Sequence, residues 1–313
     1  MLRMMSSVVA FMVMISIVME AQSVPKDTYY TLETAEAKVR KKYPSISRVK
    51  SDTLSMIEAR AAVVYSEFEG RRLSMDIFRS SRFKGTMPAV LLIHGGGWRS
   101  GDRSMEVTMA RYLASHGFVT AAVEYRLSPE AKYPAAVVDL KNAVLWIRDH
   151  AEEFGIDKNR IGLYGCSAGG HLASLIGMND DPDAPEIQAV VNVDGPLDLT
   201  DPEESGKDAD PTKPSACALW FGRTYSEAPE IWKNASPVMH VSQRSAPTAF
   251  INSAQERYHV GRERTIEQLK RYGIHSEVHT LPDSPHSFWL FHPWFGQTLE
   301  WTKDFFQRTL KNN

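Results

Sequence analysis

The sequence predicts an α/β protein with a mostly parallel central sheet and helices on both of its faces. One observation behind this is a set of short apolar runs that are nearly continuous rather than alternating, as strands covered on both faces must be. They span 89–94 (AVLLIH), 119–124 (VTAAVE), 161–164 (IGLY) and 189–193 (AVVNV). The other is the stretches between them, 105–115, 137–154 and 170–178, which carry apolar residues at three-and-four spacing. Such repetition of strand, helix and strand requires right-handed crossovers, which gather functional groups on loops at the carboxyl ends of the strands.

Composition bounds the class. The 313 residues are 43% hydrophobic and 24% charged, enough to bury a large core without disulfide or metal support. Lys plus Arg number 36 against 38 Asp plus Glu, a net charge of −2, so no basic excess exists to neutralise a nucleic-acid backbone. The two cysteines, Cys166 and Cys217, make neither a disulfide framework nor a CxxC zinc pair.

Taken in order, the first segment reads as a leader. Arg3 precedes the apolar run 8–19, too short to span a bilayer but suited to a secretory signal, and Ala21 and Ser23 have the spacing that signal peptidase reads. The expectation is a signal peptide over 1–23, then a single exported domain over 24–313 with no membrane association. Residues 24–55 are polar and Lys-rich; their one helical signal, 31–40, has little apolar face and predicts a surface arm. Runs 61–67 and 73–78 flank Glu69-Gly70-Arg71 as a hairpin would.

After residue 193 the rhythm breaks. The stretch 201–214 is acidic and turn-rich, a solvated loop without EF-hand spacing. Leu219-Trp220-Phe221 and Trp232 then predict a small cap insertion over the sheet. Two further strands, 248–252 and 276–281, enclose a helix over 265–272, and a last helix covers 296–310.

Two glycine motifs carry chemistry. In 161–170 (IGLYGCSAGG) an apolar strand runs through Gly165-Cys166-Ser167-Ala168-Gly169 into a helix, the context that GxSxG requires. The turn is so tight that positions two before and two after the serine must be nearly free of side chain. Ser167 is then exposed at the tip of the sheet, with a helix N-terminus beside it to stabilise negative charge. The second motif, His94-Gly95-Gly96-Gly97-Trp98, ends the strand 89–94; its glycines let backbone N–H groups converge on one oxygen. A phosphate cradle is excluded because no Lys-Ser/Thr follows and GxGxxG is absent. His94 reads as structural, its ring bonding loop backbone.

Together with Glu124 to Ala135 (EYRLSPEAKYPA), these motifs resemble the α/β-hydrolase superfamily, and within it esterases of the hormone-sensitive-lipase and carbohydrate-esterase type. The resemblance covers nearly all of the chain from Ala61 on. It implies the α/β-hydrolase fold and a serine hydrolase (an acetyl, feruloyl or general carboxylic esterase, or a serine peptidase) whose triad runs Ser, acid, His, with oxyanion donors at the backbone N–H groups of Gly96, Gly97 and Ala168. The nucleophile is then Ser167. The base is His286, in the loop Pro282 to Phe288 that follows the last strand as the family's terminal loop does. For the acid, the family's usual place a few residues beyond strand 248–252 falls on Glu256, with Asp194 and Glu263 as rivals. No metal or organic cofactor is implied.

The chain is also similar to secreted acetyl esterases acting on plant polysaccharides such as xylan or pectin. An exported location, Trp98 and Trp289 beside the expected site, and no long hydrophobic lid suggest a short acyl group on a carbohydrate; the aromatic density over 288–295 also suits core packing. Arg257, Arg262 and Arg264 are candidate partners for uronate carboxylates or members of a solvated loop.

Overall fold

The computed structural model describes residues 27–206 and 212–311. The leader expected over 1–23 and part of the acidic loop lie outside the described residues. The described chain begins with α1 (Leu32–Arg40) and the short strand β1 (Ser47–Arg48). The hairpin β2 (Ile57–Phe68) and β3 (Arg71–Ser80) follows, then β4 (Met87–Ile93), α2 (Val107–Ser115), β5 (Val119–Val123), α3 (Ala135–Asp149) and α4 (Ala151–Phe154). β6 (Ile156–Cys166), α5 (Ala168–Gly177) and β7 (Ala189–Val193) form the centre. The insertion contributes α6 (Pro202–Ser205), α7 (Ala216–Phe221) and α8 (Pro229–Asn234). Next come β8 (Thr248–Asn252), α9 (Arg262–Arg271), β9 (Ser276–Thr280), β10 (Phe291–His292) and α10 (Phe295–Phe306).

The eight-stranded sheet has the order β2-β3-β5-β4-β6-β7-β8-β9, with β2/β3 and β3/β5 antiparallel and the other pairs parallel. Every residue of β4, β5, β7 and β8 is buried, which is why these strands read as nearly continuous apolar runs. One apolar layer joins the sheet to α3 and α5 through residues such as Leu140, Val144 and Leu172; the other joins it to α2 and α10 through Met109, Leu113 and Phe305. β4 has β5 on one side and β6 on the other, so the chain reverses direction across the sheet there. At such a point the following loops diverge and leave a crevice beyond the strand ends. Among the described residues no helix is long and apolar enough to cross a membrane.

Two segments differ from expectation. The insertion is keyed into the core rather than resting on it: Trp220 and Trp232 are fully buried, and Trp220 stacks on Trp98 with centroids 4.8 Å apart. The expected surface arm is also fastened down. α1 starts at Thr31, whose hydroxyl accepts from the Thr34 N–H in a reciprocal capping box, and it buries Ala35 and Val39, one turn apart. Arg48 of β1 pairs with Glu36 of α1, and β1 pairs antiparallel with β10, just beyond the loop that carries His286. Two buried helix residues and the ion pairs of Arg48 with Glu33 and Glu36 are too sparse a pattern to register as an apolar face.

Candidate active site

Ser167 stands between β6 and α5 with φ 53° and ψ −122°, a conformation that L residues rarely hold. Two close approaches keep it there. A Cβ at Gly165 would lie 2.1 Å from the Gly169 carbonyl oxygen, and one at Gly169 would lie 2.0 Å from the Ile93 carbonyl oxygen. Both positions therefore admit only glycine. The Ser167 N–H donates to the Val193 carbonyl at 2.7 Å, tying the turn to the end of β7. Strain stored in this way persists only where surrounding structure over-determines it.

The glycine loop after β4 lies against this turn. Gly96 and Gly97 both have positive φ, 122° and 60°. Their backbone, with that of Ala168 at the first position of α5, borders the cavity that Ser167 enters. The Ala168 N–H has no intrahelical acceptor, because the first N–H groups of a helix never do. His94 holds the loop from behind: its Nδ1 lies 2.8 Å from the Gly95 carbonyl and its ring stacks on Tyr125, whose hydroxyl donates to the His94 carbonyl.

Three loops from separate strands meet at Ser167. His286 Nε2 lies 2.9 Å from Ser167 Oγ, and His286 Nδ1 lies 2.9 Å from Asp194 Oδ2. A carboxylate accepts, so the His286 ring carries its proton on Nδ1 and leaves Nε2 to accept from the serine hydroxyl. Asp194, at the end of β7, is wholly buried; its Oδ1 accepts from the Ser253 N–H at 2.7 Å. Burial holds the His286 pKa below its ordinary value against the opposing pull of Asp194, and the positive charges of Arg257 and Lys38 lower it further. The ring of Tyr258 stacks face to face on His286, with centroids 3.6 Å apart, and Trp289 meets it edge-on at 5.1 Å.

The carboxylate at His286 is thus Asp194, which corrects the expectation of Glu256. Glu256 is exposed in a 3-10 turn over Glu256–Tyr258, and the loop after β8 presents Tyr258 to the histidine instead. Glu263 is exposed at the start of α9 and pairs with Arg262. Asp194 prevails because β7 ends beside the elbow and the first N–H beyond β8 is aimed at its carboxylate. Trp289 is corrected as well: 3% exposed, it packs behind His286 and does not border the cavity. Trp98 does border it, but is 4% exposed, stacked on Trp220 and donating from Nε1 to His171 Nδ1 at 3.2 Å. Arg264 pairs with Asp198 and Arg262 bonds Asn252, which leaves Arg257 as the one of the three arginines that lines the cavity.

The cavity has a volume of about 930 Å³. α1 supplies a wall of it, and Tyr30, just before that helix, shares a 2.9 Å hydrogen bond between its hydroxyl and Ser287 Oγ, beside His286. Neither Tyr30 nor Tyr258 announced itself in sequence, since an isolated tyrosine in a polar stretch has no spacing to distinguish it.

A strained serine at a strand-to-helix turn, over a mostly parallel sheet with helices on both faces, defines the α/β-hydrolase fold. The chain belongs to the BD-FAE family, which matches residues 75–260. It is similar to Esterase LipC of Mycobacterium tuberculosis, 31% identical over 182 residues that make up 54% of this chain and 44% of that protein. It is also similar to the probable carboxylic ester hydrolase LipM of the same organism, 30% identical over 247 residues, 72% of this chain and 55% of that protein. The chain therefore spans about half the length of these curated relatives. Among solved structures, a truncated carbohydrate esterase from gut microbiota matches with a TM-score of 0.70 at 22% identity, covering 84% of this chain and 99% of that one. A thermostable esterase from Pseudomonas putida matches with a TM-score of 0.69 at 20% identity, covering 90% and 91%. At such identities the likeness establishes the fold.

Proposed function

We propose that the protein is an exported serine esterase that hydrolyses short-chain esters, acetyl esters foremost, on polysaccharides. The observation that carries this is the array Ser167–His286–Asp194, with both hydrogen bonds at 2.9 Å, opening into the cavity bordered by Gly96, Gly97 and Ala168. In this reading Ser167 Oγ attacks the ester carbonyl as His286 Nε2 takes its proton, and Asp194 stabilises the imidazolium so formed. The N–H groups of Gly96, Gly97 and Ala168 receive the oxyanion; losing one such donor typically costs roughly 2.7 to 4 kcal/mol of transition-state stabilisation. His286 then protonates the leaving alcohol, and a water activated by the same nitrogen releases the acid from Ser167.

The BD-FAE membership and the esterases among the relatives support the ester as substrate, and the carbohydrate esterase among the structural neighbours supports the polysaccharide. The test has two parts. A fluorophosphonate should label the wild type and not Ser167→Ala; an unlabelled wild type would refute the covalent mechanism. Acetate should be released from acetylated polysaccharide faster than longer acids from matched esters. Rapid cleavage of long acyl esters with no acetate release would contradict the short-chain assignment.

A further inference from the structure

Among the described residues, the lining of the cavity that holds Ser167 carries an excess of positive charge that the chain as a whole does not. Four cationic side chains line it, Lys38, Lys42, Arg99 and Arg257, and the one acidic side chain lining it among the described residues is Glu204; yet the net charge of the protein is −2. Arg99 is already engaged by Asp27. Lys42 lies over the Tyr43 ring and within reach of the field of Asp283. Lys38 and Arg257 remain. Among the described residues neither forms an ion pair with a carboxylate, and the Arg257 guanidinium is 4.6 Å from the centroid of Tyr258, the ring stacked on His286. The two come from segments far apart in sequence, α1 and the turn after β8, and both lie close enough to the reacting groups for their charge to weigh on His286.

Exposed cations scattered over a surface need no explanation. Two cations without carboxylate partners among the described residues, converging on the cleft from segments far apart in the chain, place a positive field where a substrate must lie. We propose that Lys38 and Arg257 form an anion subsite, so that the preferred substrates are esters of carboxylate-bearing carbohydrates, with the carboxylate held by these two side chains while the ester carbonyl sits at Ser167. Tyr29 and Tyr30, which also line the cavity, offer aromatic surface suited to sugar rings. The inference rests on the esterase reading above and adds the chemistry of the group beside the ester.

The experiment uses the whole protein and two substrates that differ only in charge: an O-acetylated oligogalacturonide, and the same oligosaccharide with its carboxylates converted to primary amides. At low ionic strength the wild type should release acetate from the carboxylate form with kcat/KM roughly tenfold higher, two exposed contacts each contributing a few-fold. That preference should shrink severalfold near 0.5 M salt, where screening reaches only a few ångströms. In the double variant Lys38→Ala/Arg257→Ala the ratio should fall towards one; in Lys38→Glu/Arg257→Glu it should invert; in Lys38→Arg/Arg257→Lys it should persist. Thermal melts verify that each variant is folded. A wild-type ratio of one, or a preference that survives charge reversal, would overturn the subsite. If neither oligosaccharide is cleaved while 4-nitrophenyl acetate is, the subsite is wrong and the esterase reading stands. If 4-nitrophenyl acetate and the fluorophosphonate also fail to react, both are wrong.

Discussion

The two halves of the site are built by different means. On one side, the turns after β4 and β6 are fixed by sterics over a few residues, because a methyl group at Gly165 or Gly169 would overlap backbone oxygens. On the other, Asp194, Tyr258 and His286 come from the loops after β7, β8 and β9, and their meeting depends on strand order and on single hydrogen bonds between loops. The first half is rigid because little else fits; the second is assembled by tertiary contacts. The consequence is that a given substitution should fail differently in each half.

The largest expected effect is at the junction itself. Ser167→Ala should lower kcat on 4-nitrophenyl acetate by roughly a millionfold, the size seen when a serine hydrolase loses its nucleophile, with an unchanged thermal melt; substantial residual turnover would mean that the elbow serine does not attack. In the steric half, Gly169→Ala should act through folding. Its Cβ would meet the Ile93 oxygen at 2.0 Å, so backbone must shift, at a cost of about 3 kcal/mol in a denaturant titration. An unaltered midpoint would break the contrast.

In the assembled half, Tyr258→Ala should leave the fold intact but lower kcat by about two- to tenfold, since an aromatic stack contributes about 0.5–1.5 kcal/mol to holding a ring in place. The smallest effect expected is in the pH profile. In the proposed mechanism His286 must be neutral to accept the proton, and burial, with Arg257 and Lys38, lowers its pKa below the ordinary 6.5. The acid limb of kcat/KM should therefore fall below pH 6.5. Removing both cations should move it upward, because they disfavour the protonated ring. A limb at or above 6.5 in the wild type would contradict this electrostatic account.

The same division explains what the sequence made legible. Strands β4, β5, β7 and β8 were readable because burial on both faces leaves mostly apolar letters, and the elbow was readable because its glycines are a local necessity. The meeting of Ser167 with His286 followed from each standing at a strand end in the expected order. The carboxylate did not follow, because counting from β8 reaches Glu256, whereas the choice of Asp194 depends on where the Ser253 N–H points. Trp98 and Trp289 show the converse: proximity to a motif suggested contact with substrate, while both rings are largely taken up by packing. α1 was read as a surface arm because its attachment rests on Ala35, Val39 and the pairs of Arg48 with Glu33 and Glu36, a pattern too sparse to stand out in one sequence.

The carboxylate that meets His286 comes from the end of β7 and not from the loop after β8, and measuring kcat/KM for Asp194→Asn and Glu256→Gln side by side on one ester tests its role. Asp194→Asn should lose on the order of 10⁴-fold, as when the corresponding aspartate of a serine hydrolase becomes an amide, and Glu256→Gln should change by less than about twofold, its side chain being exposed and outside the cavity lining. A large loss in Glu256→Gln with near-normal turnover in Asp194→Asn would contradict that role.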